Sequence, residues 1–216
     1  MRRFFILDKY NTWYDWRLTL TSKSAPKPEP KTNYVKLDGA HGSLDLTESL
    51  TGEVTYDDRT VTASFMTSEG TRQERLATLH EIATALHGKK VQIIDPDDPD
   101  HYYFGRVKIK AMQNYAAYTA LDIEAVCEPW CYAVNATERL VKVDGEVDAV
   151  LNNTGDKTLC PLLMVTGDVS LTFGGVTTQL TYGSYKIADV KLPHGFTVIK
   201  LNGHGAVSFV YREAKL

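Results

Sequence analysis

Apolar and polar residues alternate along most of the chain, which is the pattern of strands that bury one face. Residues 60–65 are typical, because Val61, Ala63 and Phe65 alternate with threonine and serine. The region after Tyr132 has this texture throughout, and strands at this spacing predict a β-sandwich. Its last three strands are predicted at 187–192, 196–201 and 206–212, with turns at 193–195 and 202–205.

One segment departs from this pattern and predicts a helix over residues 71–87. Thr71 and Glu74 have the spacing of a capping box. Gly88 is the kind of residue that ends a helix, and Lys89 and Lys90 follow at the negative end of the helix dipole. Apolar residues at three- and four-residue spacing predict a single buried face, made of Leu76, Leu79, Ile82, Ala83 and Leu86.

The remaining strands are predicted as hairpins on either side of Tyr132. After the helix, strands are predicted at 91–94, 101–110 and 118–127, and the first two are joined by a turn at 95–100. In the second half, Gly174-Gly175 forms a two-residue hairpin loop. That loop sets three pairs of residues opposite each other: Phe173 and Val176, Leu171 and Thr178, and Val169 and Leu180.

The first 33 residues predict two short strands and then an exposed loop. Residues 2–20 alternate loosely around a turn near Lys9 to Asn11. Residues 21–33 carry three prolines within five positions, which favours an extended path without ladder hydrogen bonds. This loop is interpreted either as a connector or as an arm that lies on a neighbouring subunit.

Composition excludes several classes of protein. The 216 residues are 43% hydrophobic and 24% charged, which is ordinary for a globular protein and argues against disorder. A net charge of −3 gives no basic excess to hold a phosphate backbone. No apolar run approaches the roughly 20 residues of a membrane span, so no membrane association is expected. The apolar run after Met1 is too short for a signal peptide, so we expect a protein made in the cytosol.

No pattern of residues points to catalysis, a metal or a cofactor. The acidic run at 95–100 fails the EF-hand pattern, because an aspartate stands where glycine is required. Cys127, Cys131 and Cys160 lack the spacing of a zinc site, even with His194 and His204, and are interpreted as inert thiols. None of the six histidines lies in a nucleophile motif. The remaining histidines are His41, His80, His87 and His101.

The order of these features resembles the distal tail protein (Dit) family of long-tailed siphophages. The matching segments are a glycine-rich turn and Gly-Ser-Leu-Asp-Leu at 42–46, Tyr-Asp-Asp-Arg at 56–59, the helix with Gly88, Phe-Gly-Arg-Val at 104–107, Cys-Glu-Pro-Trp at 127–130, and the stretch 195–216. The resemblance covers nearly the whole chain.

The resemblance implies a mainly β fold in two domains. Residues 1–130 would form a ring-forming split β-barrel flanked by the helix. Residues 131–216 would form a galectin-like β-sandwich. With about 85 residues, this second domain leaves no room for the long insertion that grips receptor-binding proteins in some relatives.

The resemblance also implies a structural virion protein rather than an enzyme. Six copies would form a hexameric ring, the baseplate hub of the phage tail tip, after synthesis in the bacterial host cytoplasm. Its partners would be the tail tube protein, the end of the tape-measure protein, the tail-associated fibre or lysin protein and a receptor-binding protein used in host adsorption. DNA would pass through the channel without specific binding, so the lining should avoid dense positive charge. Edge strands at 101–110 or 2–20 could pair across subunits.

A carbohydrate-binding module is the alternative function. A β-sandwich with exposed aromatic rings could contact glycans of the host cell wall. The candidate contacts are Tyr182, Tyr185 and Phe196. An enzyme is the third reading, and no constellation of residues supports it.

Overall fold

The computed structural model describes residues 4–216, which form two compact units divided after Cys131. The first unit holds one helix, α1 (Arg72–Leu86). Its strands are β1 (Ile6–Leu7), β2 (Tyr10–Asn11), β3 (Thr19–Ser24), β4 (Tyr34–Lys36), β5 (Ser43–Asp45), β6 (Arg59–Thr67), β7 (Lys90–Asp95), β8 (Asp98–Asn114) and β9 (Thr119–Ala133). The strands that follow are β10 (Thr137–Asn153), β11 (Leu162–Phe173), β12 (Val176–Leu180), β13 (Gly183–Tyr185), β14 (Gly195–Tyr211) and β15 (Ala214–Lys215).

The first unit is built on one curled sheet with the strand order β2-β1-β7-β8-β9-β6-β3. Alternation puts every second residue of β6 and β9 on the core side, and Phe65 lies opposite Leu121 in the register. The helix packs its own buried residues, Leu79, Ile82 and Leu86, into the same core. Burial of each such side chain stabilises the unit by about 1.5–3 kcal/mol. No helix among residues 4–216 is long and apolar enough to cross a membrane.

The helix begins and ends as predicted, but its buried face differs from the predicted one at one position. The Thr71 hydroxyl accepts from the Glu74 amide at 3.3 Å, and the Glu74 carboxylate accepts from the Thr71 amide at 2.7 Å. Gly88 has a φ of +77°, the left-handed conformation that ends the helix. The prediction for Leu76 was wrong: this side chain is 45% exposed, and Arg75 is buried instead.

Two predictions for the first 33 residues need correction. The predicted loop 21–33 begins as strand, because β3 continues to Ser24 and pairs with β6. The turn between β1 and β2 lies at Asp8 and Lys9, slightly earlier than predicted. Residues 2 and 3 of the predicted first strand lie outside the described residues. The turn predicted at 95–100 is shorter, since β7 ends at Asp95 and β8 begins at Asp98.

The second unit is built on a sheet with the order β10-β14-β11-β12, and β13 pairs with β11. The pairs predicted around Gly174-Gly175 are confirmed, with Phe173 opposite Val176, Leu171 opposite Thr178 and Val169 opposite Leu180. The turn predicted at 202–205 was wrong, because residues 195–211 form one strand of 17 residues with Gly203 and Gly205 inside it. The strand predicted at 187–192 was also wrong, because only Leu192 forms a bridge there, with Leu159.

Glycines in the long strands of this sheet permit a close approach of β14 and β11. The buried apolar side chains of β14 have odd numbers both before and after Gly203 and Gly205, and they belong to one cluster: Ile199, Leu201, Val207 and Phe209. Gly167 of β11 lies opposite Gly205 in the register. A Cβ atom at Gly205 would overlap the Thr166 carbonyl, so the strands approach at a distance that only glycine permits. Both halves of the long strands therefore cover one core.

Candidate assembly interface

A hairpin made of β4 and β5 is the most exposed ordered element of the first unit, and we name residues 31–53 the arm. Every residue from 31 to 45 is exposed. Val35 of β4 lies opposite Leu44 of β5, so the two apolar side chains share one face. Leu37 and Leu50 are 52% and 94% exposed. An exposed apolar cluster on an ordered element marks a surface that binds a partner.

Hydrogen bonds hold the arm in a defined shape. At its base, the Lys31 amide donates to the Thr55 carbonyl at 2.8 Å. Further out, the Leu46 amide donates to the Asn33 carbonyl at 2.8 Å, and the Asn33 amide donates to the Thr47 hydroxyl at 3.1 Å. An isolated two-stranded hairpin is only marginally stable in water, so further contacts along its apolar face would stabilise it.

A second surface is the groove, which we define by Ala83, Thr84, His87, Ile109 and Met112 between α1 and β8. It exists because β8 is longer than β7. The register of β7 and β8 starts with Lys90 opposite Arg106, and the Val107 amide donates to the Lys89 carbonyl at 2.9 Å. Residues 108–114 of β8 lie beyond that point, and the Ile109 amide donates to the His87 ring at 3.2 Å.

Basic side chains lie at the end of the groove next to the C-terminus of α1. The Lys89 ammonium donates to the Thr84 carbonyl at 2.9 Å, and Arg106 donates to the Gly88 carbonyl. Cations are favourable at this position because the last carbonyls of a helix carry partial negative charge. The five residues that line the groove include no acid. This end of the groove therefore favours an anionic partner.

The three predicted glycan contacts lie in the second unit and differ in exposure. Tyr182 is 82% exposed and Phe196 is 77% exposed. Tyr185 is half-buried against the core, and its hydroxyl donates to the Thr181 carbonyl at 3.2 Å. Only Tyr182 and Phe196 therefore present rings that could stack on a sugar. Phe196 lies two positions before Val198 on the same face of β14, and Val198 pairs with Val150; both valines are also exposed.

The other candidates for chemistry have structural partners. Lys23 of β3 forms ion pairs with Asp95 and with Asp97, the latter at 2.7 Å. His194 lies 2.9 Å from the Gly155 carbonyl, and His204 lies 2.9 Å from the Asp144 carboxylate. Across residues 4–216 no group of three or more histidine, cysteine or acidic side chains could hold a metal ion.

A buried polar cluster in the first unit contains the groups with the largest shifts in pKa. Burial raises the pKa of the Cys127 thiol to about 12 and that of the Tyr103 hydroxyl to about 12. The Arg59 guanidinium lies 5.3 Å from the centre of the Tyr103 ring and partly opposes both shifts. The Nε and Nη2 atoms of Arg59 have no hydrogen-bond acceptor among the described residues. A thiol that remains protonated is a poor nucleophile, so this cluster supports packing rather than catalysis.

These two shifts predict a loss of stability in alkaline solution. Cys127 and Tyr103 ionise near their ordinary pKa values of 9.0 and 10.0 in the unfolded chain and near 12 in the folded chain. As the pH rises from about 9 to about 12, the unfolded state loses protons first, and the free energy of unfolding falls. Urea unfolding at pH 8, 10 and 11 measures this decline.

A Cys127→Ala variant is the control for this prediction. Its overall stability can change because a buried side chain is shortened, but its decline between pH 9 and 12 should be shallower than that of the parent protein. An equal decline in both proteins would show that Cys127 contributes nothing to it.

The sequence did not reveal the arm or the groove. An arm was predicted, as one of two alternatives, within 21–33, whereas the strands of the exposed hairpin begin only at Tyr34, after that range ends. The edge predicted at 101–110 is mostly covered by β7, and the open part of β8 lies at 108–114. An alternation of apolar and polar residues does not say whether the apolar face is covered in the folded chain.

Comparison with known proteins identifies the fold. No family model matches the sequence, and no curated protein matches it. The structure is similar to the crystal structure of SPP1 Dit (gp 19.1), described as a paradigm of the hub adsorption apparatus in phages that infect Gram-positive bacteria. The TM-score is 0.72 at 12% sequence identity, over 98% of this chain and 99% of that chain. The predicted mainly β fold is confirmed, and the chain has the fold of that hub protein.

Proposed function

We propose that this protein is a distal tail protein, the hub of a phage tail tip, and that it acts as a hexameric ring. The observation that carries this proposal is the similarity to SPP1 Dit over 98% of the chain, which includes both units. A function that depends on assembly needs complementary surfaces and no reactive pocket. The exposed arm and the open end of β8 are surfaces of this kind.

The solvent-facing side of β6 and β9 supports a channel through the ring. Short hydroxyl side chains at 60, 62 and 64 lie opposite Val126, Glu124 and Asp122 in the register. Lys110 pairs with Glu124 at 3.1 Å, so the lysine charge is partly neutralised. Small polar groups and carboxylates do not hold a phosphate backbone. We propose that this face lines the channel and lets DNA pass without specific binding.

The ring would connect the tail tube and the tape-measure end to the tail-associated fibre or lysin protein. A receptor-binding protein is a further candidate partner. The protein would belong to the virion after synthesis in the host cytoplasm. In this role it contributes binding surfaces, and host adsorption depends on the proteins that it holds in place.

Light scattering of the purified protein tests the oligomeric state. A ring of six chains has a mass of about 145 kDa, six times the 24.1 kDa of one chain. We expect that mass in a concentration-independent peak. A mass of 24.1 kDa throughout a concentration series would contradict assembly of the protein by itself.

Glycan binding is the second candidate function, and the exposure of Tyr182 and Phe196 favours it. If these rings stack on sugars, the purified protein should be retained by host cell-wall glycan. A double variant with Tyr182→Ala and Phe196→Ala should then lose retention. Val176→Ala, which removes another exposed apolar side chain of the second unit, is the matched control. Equal retention of the double variant and the parent would exclude these two residues.

A further inference from the structure

We propose that the arm of one copy lies in the groove of the next copy. The partner is therefore a second copy of this chain. This inference rests on the proposed ring and names the surfaces that would hold it together. The arm and the groove both belong to the first unit, so the proposal needs no assumption about the second.

The arm presents an apolar face that the described chain leaves uncovered. Val35 and Leu44 form its centre, and Leu37 and Leu50 are further exposed apolar side chains of the arm. The groove offers apolar side chains of matching character: Ala83, Ile109 and Met112. Because hydrogen bonds already order the arm, little conformational entropy would be lost when it binds.

Opposite charges on the two surfaces favour the groove as the binding site of the arm. Residues 31–53 contain four acids and two lysines. The acids are Asp38, Asp45, Glu48 and Glu53. Lys89 and Arg106 lie at the end of the groove, beside the C-terminus of α1. Opposite charge on the two surfaces favours their association and fixes its orientation, although each exposed ion pair adds little affinity.

The open end of β8 adds a second kind of contact. Past Val107, no described strand lies on the side of β8 that faced β7. An exposed strand edge is a template for another strand, and the arm is itself a two-stranded hairpin. Backbone pairing at Ala111 or Gln113 would therefore be available to an arm in the groove.

The contact joins two different surfaces, so it is heterologous. Each copy offers its arm to one neighbour and its groove to the other. Repetition of such a contact gives a ring or a filament and does not stop at a pair. This is the type of contact that the proposed hexamer requires.

Charge reversal tests the pairing. One variant carries Asp38→Lys and Glu48→Lys in the arm, and the other carries Lys89→Glu and Arg106→Glu beside the groove. Each alone should lose the assembly that the parent forms at the same concentration. An equimolar mixture should restore it, because each reversed arm then meets a reversed groove and each parental arm meets a parental groove.

A matched control carries the same charge change on the second unit, with Glu146→Lys and Asp168→Lys, and should assemble like the parent. Thermal unfolding followed by tryptophan fluorescence verifies that the first-unit variants are folded, and thermal unfolding followed by circular dichroism verifies the second-unit control, because all three tryptophans lie in the first unit. Unchanged assembly of the two single-surface variants, or failure of their mixture to recover, would overturn the proposal.

Disulfide trapping separates this proposal from the proposed ring. In a Cys160→Ser background, L50C places a thiol on the arm and M112C places one in the groove. Mixed at low concentration, they should give a cross-linked dimer of one L50C and one M112C chain faster than either protein gives a dimer with itself. A ring without this preference would overturn the arm contact and leave the hub function standing. The preference without a ring would support the contact and count against the hexamer.

Discussion

Replacement of Arg75 by methionine is expected to lower the free energy of unfolding of the first unit by about 3 kcal/mol or more. Arg75 is buried, and its guanidinium donates to three backbone carbonyls: Gly70 at 2.7 Å, Tyr115 at 3.1 Å and Ala116 at 2.8 Å. Its Nε also donates to the Thr119 hydroxyl at 3.2 Å. Methionine fills much of the same volume but leaves these acceptors without a donor, at a cost of about 1–3 kcal/mol for each buried group.

The measurement for Arg75 uses the natural distribution of tryptophan. All three tryptophans, at 13, 16 and 130, lie in the first unit, so urea unfolding followed by their fluorescence reports that unit. Arg72→Met is the control, because Arg72 is exposed on the same helix. A loss for Arg75→Met no larger than that for Arg72→Met would show that the carbonyls find other donors.

Replacement of Gly205 by alanine is expected to unfold the second unit or to destabilise it by about 3 kcal/mol or more. Gly205 has a φ of +152°, a conformation that residues with a Cβ rarely adopt. The added Cβ would also overlap the Thr166 carbonyl, which is backbone and cannot move without shifting β11. The close approach of β11 and β14 at this position would therefore be lost.

Gly174→Ala separates the two causes of that loss. Gly174 also has a positive φ, of +58°, but no atom lies within 4 Å of the position of its Cβ. It should cost only about 1–2 kcal/mol, the strain of the left-handed conformation. Hydrogen exchange of residues 132–216 measures both variants, and tryptophan fluorescence should show an unchanged first unit. Similar protection in Gly205→Ala and the parent would contradict the close approach of the strands.

The contrast between these glycines shows where sequence reasoning succeeded and where it failed. Gly174-Gly175 was correctly predicted as a hairpin loop, because two glycines between alternating residues fit only a tight turn. Asn202-Gly203-His204-Gly205 was predicted as a turn for the same reason, but these residues lie inside a continuous strand. Local sequence specifies an unusual backbone conformation in both places, and only the partner strands decide whether the chain reverses.

The helix shows a similar limit. Its capping box and its final glycine are local features, so the sequence predicted both ends. The exchange of Leu76 for Arg75 on the buried face depends on the carbonyls of residues 115 and 116, which are distant in sequence. Hydrophobic periodicity could not reveal a cation that is buried because backbone carbonyls surround it.

The candidate site was less predictable than the fold. The order of the motifs, which resembles that of the Dit family, correctly predicted the fold, although this chain is only 12% identical to SPP1 Dit. The surfaces proposed to hold a ring together are defined by what is left uncovered: an apolar hairpin face and the end of a strand beyond its neighbour. Exposure is a property of the folded chain, and the same residues in sequence are indistinguishable from core.

Electron microscopy of the purified protein shows whether the protein assembles into a hexameric ring. We predict class averages of closed rings with six-fold symmetry and a central opening. Averages that show only particles of a single chain, even when the grids are prepared from the most concentrated sample, would contradict the proposal that this protein works by binding copies of itself.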